Sequence, residues 1–296
     1  MHLINALHGG NGGTRSAAHY IFSWPDCVET VSVAAMETES WTAIILAGER
    51  PGENAFAAAN NVTAKALIPI GGEPMLARVA RTLLACPRIG RIVVLAQAPD
   101  ALLTGPLAWL AAEPRVTTSA SGDGISQSIA DIVGSEVAPY PVLVTTADHA
   151  LLSPAMVEAF VAGARGADAA FAMVERAVVE AGYPETKRTW LKFSDGDYTG
   201  ANLFALVTAT SRKALDFWAR AEKDRKKALR ILMFFGPMIF LRALTRTISL
   251  DGAVHKAGRN TDMRLCAVRL PFAEAAIDVD KPADLELVRQ IVQRAG

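Results

Sequence analysis

Trp41-Thr42-Ala43-Ile44-Ile45-Leu46-Ala47-Gly48 is the stretch on which the fold turns. Residues 42–46 are β-branched or apolar almost without interruption, and the run stops at a pair of small residues. A short continuous apolar run closed by glycine reads as a strand buried on both faces, which belongs to a parallel sheet covered by helices. Working outward, residues 75–85 carry apolar side chains at helical spacing, and 91–96 form a second apolar strand. Residues 101–112 read as helix, 116–118 as a short strand, 125–133 as helix and 141–145 as another buried strand. Ser153 is a good N-cap, Pro154 suits the first helical position, and Gly163 stops a helix that runs to about residue 162. Strands that alternate with helices predict an α/β protein with a mostly parallel sheet and helices on both faces.

The second half is less regular. Residues 169–174, 189–193 and 203–207 read as strands, and 212–244 as one or two long helices interrupted at Gly236-Pro237. Residues 264–270 and 275–279 read as strands, and 282–293 as a closing helix. Residues 1–38 contain Gly9-Gly10-Asn11-Gly12-Gly13 and no sustained period. They are expected to be a disordered extension, with Met36 standing where a shorter chain would start, and 39–296 to form one domain.

The chain has 296 residues, 30 basic and 30 acidic side chains, and no net charge. That balance offers no bulk attraction to nucleic acid, so an anionic partner has to be held by local geometry. Cys27, Cys86 and Cys266 are scattered and form no Cys-x-x-Cys pair, which suggests neither a disulfide framework nor a zinc site and fits the cytoplasm. No apolar run reaches the roughly 18 to 20 residues that a spanning helix needs.

Three stations carry candidate chemistry. The first is the loop Leu46-Ala47-Gly48-Glu49-Arg50-Pro51-Gly52, continuing to Lys65 and Gly71-Gly72. Small residues after a buried strand let backbone N–H groups approach phosphates, while Arg50 and Lys65 supply positive charge. The second is Thr145-Thr146-Ala147-Asp148-His149. A carboxylate at the carboxyl end of a parallel strand sits where ligands bind in open sheets, and it suits Mg²⁺. His149 reads as structural, since no acid–base partner is evident. The third is Asp278-Val279-Asp280-Lys281-Pro282-Ala283-Asp284. In a strand, Asp278 and Asp280 point to the same side, and one of them could complete a metal site with Asp148. Asp280 could equally be the N-cap of the last helix.

Leu46-Ala47-Gly48, the run from Lys65 to Leu76, Thr146-Ala147-Asp148-His149 and Asp278 to Leu285, in that order, resemble the nucleotidyltransferases of glycosyltransferase-A-type, Rossmann-like fold. The MobA-like NTP transferases are the nearest group, and the resemblance covers residues 41–294. It implies that Leu46, Ala47, Gly48, Gly122, Ser128 and Ala147 bind the nucleotide. Lys65 and Arg50 would hold the triphosphate and the charge developing on it. Asp148 and Asp280 would hold Mg²⁺, and Asn202 would face the acceptor. The usual first loop is Gly-x-Gly-x-x-Arg, whereas here Arg50 follows Gly48 after a single residue. The implied reaction joins a nucleoside triphosphate, CTP or GTP, to a phosphorylated small molecule with release of pyrophosphate. A glycosyltransferase using a nucleotide-sugar and a non-catalytic nucleotide-binding protein are the alternatives. The glycosyltransferase usually shows Asp-x-Asp, which the Ala147-Asp148-His149 segment lacks. Lys187-Arg188 is a further phosphate-binding candidate, but with no motif behind it the pair reads as surface charge.

Residues 212–246 add Lys213, Arg220, Lys223, Arg225, Lys226, Lys227 and Arg230 to an apolar stretch around Phe234 and Phe235. Such a basic amphipathic insert could pack on the core, form a dimer contact, cover the acceptor, or touch an anionic membrane surface. The oligomeric state is not legible.

Overall fold

The computed structural model describes residues 40–49, 54–122, 124–223 and 245–295. The readings of 1–38, of Arg50 and of most of the 212–246 insert lie outside the described residues. Among the described residues, no helix is long and apolar enough to cross a membrane.

The first half runs β1 (Trp41–Leu46), α1 (Ala55–Ala59), a 3-10 turn at Lys65–Leu67, β2 (Pro69–Ile70), β3 (Glu73–Pro74) and α2 (Met75–Leu84). It continues through β4 (Ile89–Ala96), α3 (Pro99–Leu102), α4 (Ala108–Ala111), β5 (Val116–Ala120), α5 (Ile125–Ile132), β6 (Val142–Thr146) and α6 (Pro154–Gly163). The second half is β7 (Ala169–Glu175), α7 (Arg176–Gly182), β8 (Leu191–Phe193), β9 (Gly196–Leu206) and α8 (Arg212–Lys223). It ends with α9 (Leu250–Thr261), β10 (Leu265–Arg269) and α10 (Pro282–Ala295). Eight strands form one sheet in the order β10-β7-β9-β6-β1-β4-β5, with β8 added on β9. The pairings of β9 with β6, β7 and β8 are antiparallel and the others parallel.

Alternation within β1 explains the two helical layers. Ala43 and Ile45 face one side, where they pack with Leu76, Val79 and Leu83 of α2 and with Val157 and Phe160 of α6. Ile44 faces the other side, with Val93, Val144 and Ile129 of α5 and Leu215 of α8. Both faces are therefore dry, as an uninterrupted apolar strand requires.

The order also fixes where a ligand can bind. From β1 the chain crosses through α2 to β4 on one side, then to β5 beyond it. Through α5 it returns to β6 on the other side of β1. The connections at the carboxyl ends of β1 and β6 thus leave in opposite directions and open a crevice between them.

Several elements differ from expectation. The predicted helix over 101–112 is two short helices, α3 and α4, because Gly105 takes a positive φ of 54° and Pro106 follows it. The predicted strand over 203–207 is the end of the eleven-residue β9. The predicted strand over 275–279 is not one: a 3-10 turn spans Ala273–Ala276, and 277–281 has no ladder beyond Val279 N–H donating to the Asp148 carbonyl at 3.1 Å. Asp280 is not the N-cap either. Asp284 reaches back, and its Oδ2 accepts from the Lys281 and Asp280 backbone N–H groups at 3.2 and 3.3 Å, the reciprocal half of a capping box. The Asp280 side chain is left free to face the cleft. Gly252 and Gly258 interrupt the apolar spacing of α9, so its helical period is not legible along the chain. A Cβ on Gly258 would sit 2.6 Å from the Met263 carbonyl, so the close approach demands glycine there.

At the end of the sheet away from the crevice, Asp168 ties three strand ends together. It is 7% exposed and accepts from the Arg264 N–H at 2.8 Å, from Arg264 Nη2 at 3.0 Å and from Thr208 Oγ1 at 2.8 Å. The Arg264 hydrogen bonds outweigh burial and hold its carboxyl at about 2, below the ordinary 3.8. A folded-state pKa below the unfolded one adds stability above the unfolded value and loses it as pH falls toward the folded one. Asp168→Asn should therefore lower stability at neutral pH by about 1–3 kcal/mol. In urea unfolding, the gap to the parent protein should be full above pH 4 and close as the pH approaches 2.

Candidate functional site

The carboxyl ends of four neighbouring strands form one edge of the crevice. Ser121 N–H donates to the Ala96 carbonyl at 2.8 Å, Ala47 N–H to Leu95 at 2.9 Å and Ala147 N–H to Leu46 at 2.9 Å. These rungs put Gly122, Ala47, Gly48 and Ala147 in a row, with Leu46 ending β1 behind them. Ser128, in the first turn of α5, closes the far end: its Oγ accepts from Gly122 N–H at 2.9 Å and donates to the Gly124 carbonyl at 2.7 Å. The predicted nucleotide-binding residues thus share one edge.

Two side chains, Gln97 and Glu49, shape the loop after β1. Gln97, just past β4, donates to the Glu49 carbonyl at 2.6 Å and accepts from the Glu49 N–H at 2.9 Å. A Cβ on Gly48 would lie 3.0 Å from that amide, so the amide clamp accounts for glycine there. Glu49 Oε1 accepts from Asn54 Nδ2 at 2.8 Å and also from the Lys65 N–H. A polar residue directly after a buried parallel strand was the available signal for Gln97.

The centre of the crevice is a cation between two carboxylates. Lys65 Nζ donates to Asp148 Oδ2 at 2.5 Å and to Asp280 Oδ1 at 2.8 Å. Asp148 stands just past β6, where Thr146 Oγ1 donates to its other oxygen at 2.5 Å. Lys65 opens the 3-10 turn, with Ala66 buried behind it. Asp280 sits at the entry to α10 and is 64% exposed on its side chain, against 22% for Lys65 and 17% for Asp148. Burial alone would lower the Lys65 pKa, but the charge and hydrogen bond of Asp148 overcome it and the ammonium is strengthened. For Asp280, burial would raise the pKa, and the Lys65 hydrogen bond and charge turn the net shift downward.

A second ion pair flanks the first. Arg188 Nη1 donates to Asp278 Oδ1 at 2.6 Å, and Asn202 Nδ2 to Asp278 Oδ2 at 3.3 Å. Asn202 reaches this point because β9 slips its register against β7 between Phe171 and Met173, and such a bulge re-aims a side chain. Asp278 and Asp280 therefore take different partners instead of sharing one strand face. Arg188 is not surface charge: its side chain is 12% exposed. Beneath the cleft His149 is fully buried, and that burial pushes its imidazole down to about 4. It is a neutral core group, not a proton carrier at the surface. Arg50 lies outside the described residues.

A doubly covered α/β sheet with small residues and a cation–carboxylate centre at its switch point is the frame of a nucleotide-handling enzyme. The chain belongs to the MobA-like NTP transferase domain family, whose sequence profile matches residues 43–232. Among solved structures it resembles a hypothetical transferase from Thermus thermophilus, with 29% identity, a TM-score of 0.67, and coverage of 83% of this chain and 99% of that one. It also resembles 4-diphosphocytidyl-2C-methyl-D-erythritol synthase from Anaerococcus prevotii DSM 20548, with 11% identity, a TM-score of 0.51, and coverage of 88% and 99%. A third likeness is to CMP:2-keto-3-deoxy-manno-octonic acid synthetase complexed with CTP, with 15% identity, a TM-score of 0.52, and coverage of 87% and 100%. The last two likenesses establish fold alone. Comparison with curated protein sequences gave no match.

Replacing Lys65 by Met should leave Asp280 without its ammonium. The Asp280 carboxyl should then titrate at a higher pH than in the parent protein, read by carbon-detected NMR of the side-chain carboxyl. An unchanged titration would assign its shift to another group.

Proposed function

We propose that this protein is a Mg²⁺-dependent nucleotidyltransferase that moves a nucleoside monophosphate from an NTP, CTP or GTP, to a phosphorylated small-molecule acceptor and releases pyrophosphate. The convergence of Lys65, Asp148 and Asp280 at the mouth of the small-residue loop carries this reading. Membership of an NTP transferase family supports it, as does the likeness to a fold solved with CTP.

The nucleotide would lie along the strand edge. Gly122 and Ser128 would stand near the base, Leu46, Ala47 and Ala147 under the nucleoside, and Gly48 where backbone must come close to phosphate. Asn202 would meet the acceptor. An acceptor phosphate oxygen attacks the α-phosphorus in line, and the bond from that phosphorus to the β-phosphate bridging oxygen breaks. The electron pair leaves with pyrophosphate, and because the attacking phosphate oxygen is already ionised no proton has to be taken from it. Positioning and charge stabilisation are then the main tasks of the protein. Lys65 and Arg50 place positive charge on the phosphates.

The donor set suits Mg²⁺. Two carboxylate oxygens already converge on one cation, the Lys65 ammonium, and hard oxygens are the ligands this ion prefers. Among the described residues, no group of three or more His, Cys, Asp or Glu side chains forms a closed metal cage. Mg²⁺ commonly takes one or two carboxylates and completes its shell with phosphate oxygens and water. Asp148 and Asp280 would hold it, and when bound it would neutralise phosphate charge.

The test is a pyrophosphate-release screen of the four NTPs against phosphorylated acceptors, with and without magnesium. Release should require NTP, acceptor and magnesium together. Asp148→Ala should cut turnover by on the order of a hundredfold or more, the scale of losing one preorganised electrostatic group. Parental kinetics in that variant would refute the role given to Asp148.

A further inference from the structure

Arg188 is satisfied at one end only. Nη1 is bound by Asp278 at 2.6 Å, while Nε and Nη2 are buried and neither has a hydrogen-bond partner. These two nitrogens form the side-on edge of the guanidinium, where parallel N–H groups match two oxygens of one carboxylate or phosphate. Donors of a charged group are costly to leave buried and unpaired, so a partner belongs on this edge.

The surroundings tie that edge to the cleft. Asp278, which orients the guanidinium, also takes the Asn202 amide, and it stands two residues before the carboxylate held by Lys65. The charges of Asp148, Asp280 and Arg188 all act on Asp278, so the two ion pairs form one electrostatic cluster. Without Arg188, an incoming oxyanion would meet the carboxylates of Asp148, Asp278 and Asp280, which among the described residues of this cluster are opposed by Lys65. Like-charge repulsion would then exclude it. Arg188 adds a second cation beside Lys65 at this acid-lined end, which favours an anion there.

We propose that Arg188 anchors an oxyanion of the acceptor, phosphate or carboxylate, across Nε and Nη2, with Asp278 as the positioning residue that presents this edge. The proposal rests on the nucleotidyltransferase reading and names the acceptor end of its site. Lysine would not substitute, because a single ammonium lacks the fork.

Two measurements test it. The first follows the Arg188 Nε–H resonance in ¹³C,¹⁵N-labelled full-length protein, assigned by through-bond correlation to the Arg188 backbone, during titration with inorganic phosphate, acetate or glycerol. Phosphate or acetate should shift it and neutral glycerol should not. A response to phosphate alone points to a phosphomonoester, and to acetate alone to a carboxylate. No response to either anion overturns the proposal and leaves Arg188 a structural residue.

The second measurement compares KM values in pyrophosphate release. In Arg188→Lys and Arg188→Gln, the acceptor KM should rise on the order of tenfold or more, with the NTP KM unchanged. An unchanged acceptor KM, or an equal rise in both, sinks the proposal. If both variants misfold, the titration of the parent protein decides. If the parent releases no pyrophosphate from any NTP, the nucleotidyltransferase reading fails, while the resonance titration still reports on the oxyanion.

Discussion

A small apolar cluster beneath the cleft assembles the site. Ile68, Ile70, Met75, Ala150, Ile277, Val279, Leu285 and Val288 pack together, apart from the two large sheet-face cores. Each charged station is mounted on it. Lys65 lies three residues before Ile68, Asp148 two before Ala150, and Asp280 directly after Val279. Lys65 and its partners are 83 and 215 residues apart in the chain. Partly exposed ion pairs contribute only about 0–1 kcal/mol each, too little to close such loops. Fully burying one large aliphatic side chain contributes roughly 1.5–3 kcal/mol, so the cluster decides the geometry and the charges report it. Helix α10 is therefore part of the site: its inner face supplies Leu285 and Val288 to the cluster, while its entry presents Asp280.

The loop after β1 solves a related problem by different means. A loop that admits phosphates has to keep its backbone exposed yet ordered. Glu49 looks misplaced there, as an acid beside a surface proposed to take phosphates. Its carboxylate is occupied by the Lys65 N–H and the Asn54 amide, and its own N–H and carbonyl are held by Gln97. The acid acts as a local tie that sets Lys65 against the glycine, so the loop's shape depends on side chains as well as on small residues.

The two ends of the cleft consequently differ in chemistry. The end along β1, β4 and β5 offers backbone groups, small residues and the Ser128 hydroxyl. The end formed by Arg188, Asn202 and Asp278 offers an ion pair between the segment before β8 and the approach to α10, with the Asn202 amide of the bulged β9 beside it. Lys65, between two carboxylates, stands at the border. A site with a smooth, small-residue half and a sharply charged half suits a reaction that brings two unlike molecules together.

Much of this was legible along the chain. Continuous apolar runs at 42–46, 91–96 and 141–145 identify strands buried on both faces, and Ser153-Pro154 marks a helix start, because these signals depend only on neighbours in sequence. The three motifs could be picked out for the same reason: each is a short string at the end of a predicted element. Only the tertiary structure decided which strands pair, that β9 runs antiparallel through the middle of the sheet, and that its slipped register turns Asn202 into the cleft. It also decided that Asp284 and not Asp280 caps α10, and that Arg188, which reads as surface charge, is nearly buried against Asp278. Periodicity records how a side chain points relative to its own element. The partner it meets depends on how distant elements pack, and no local pattern encodes that.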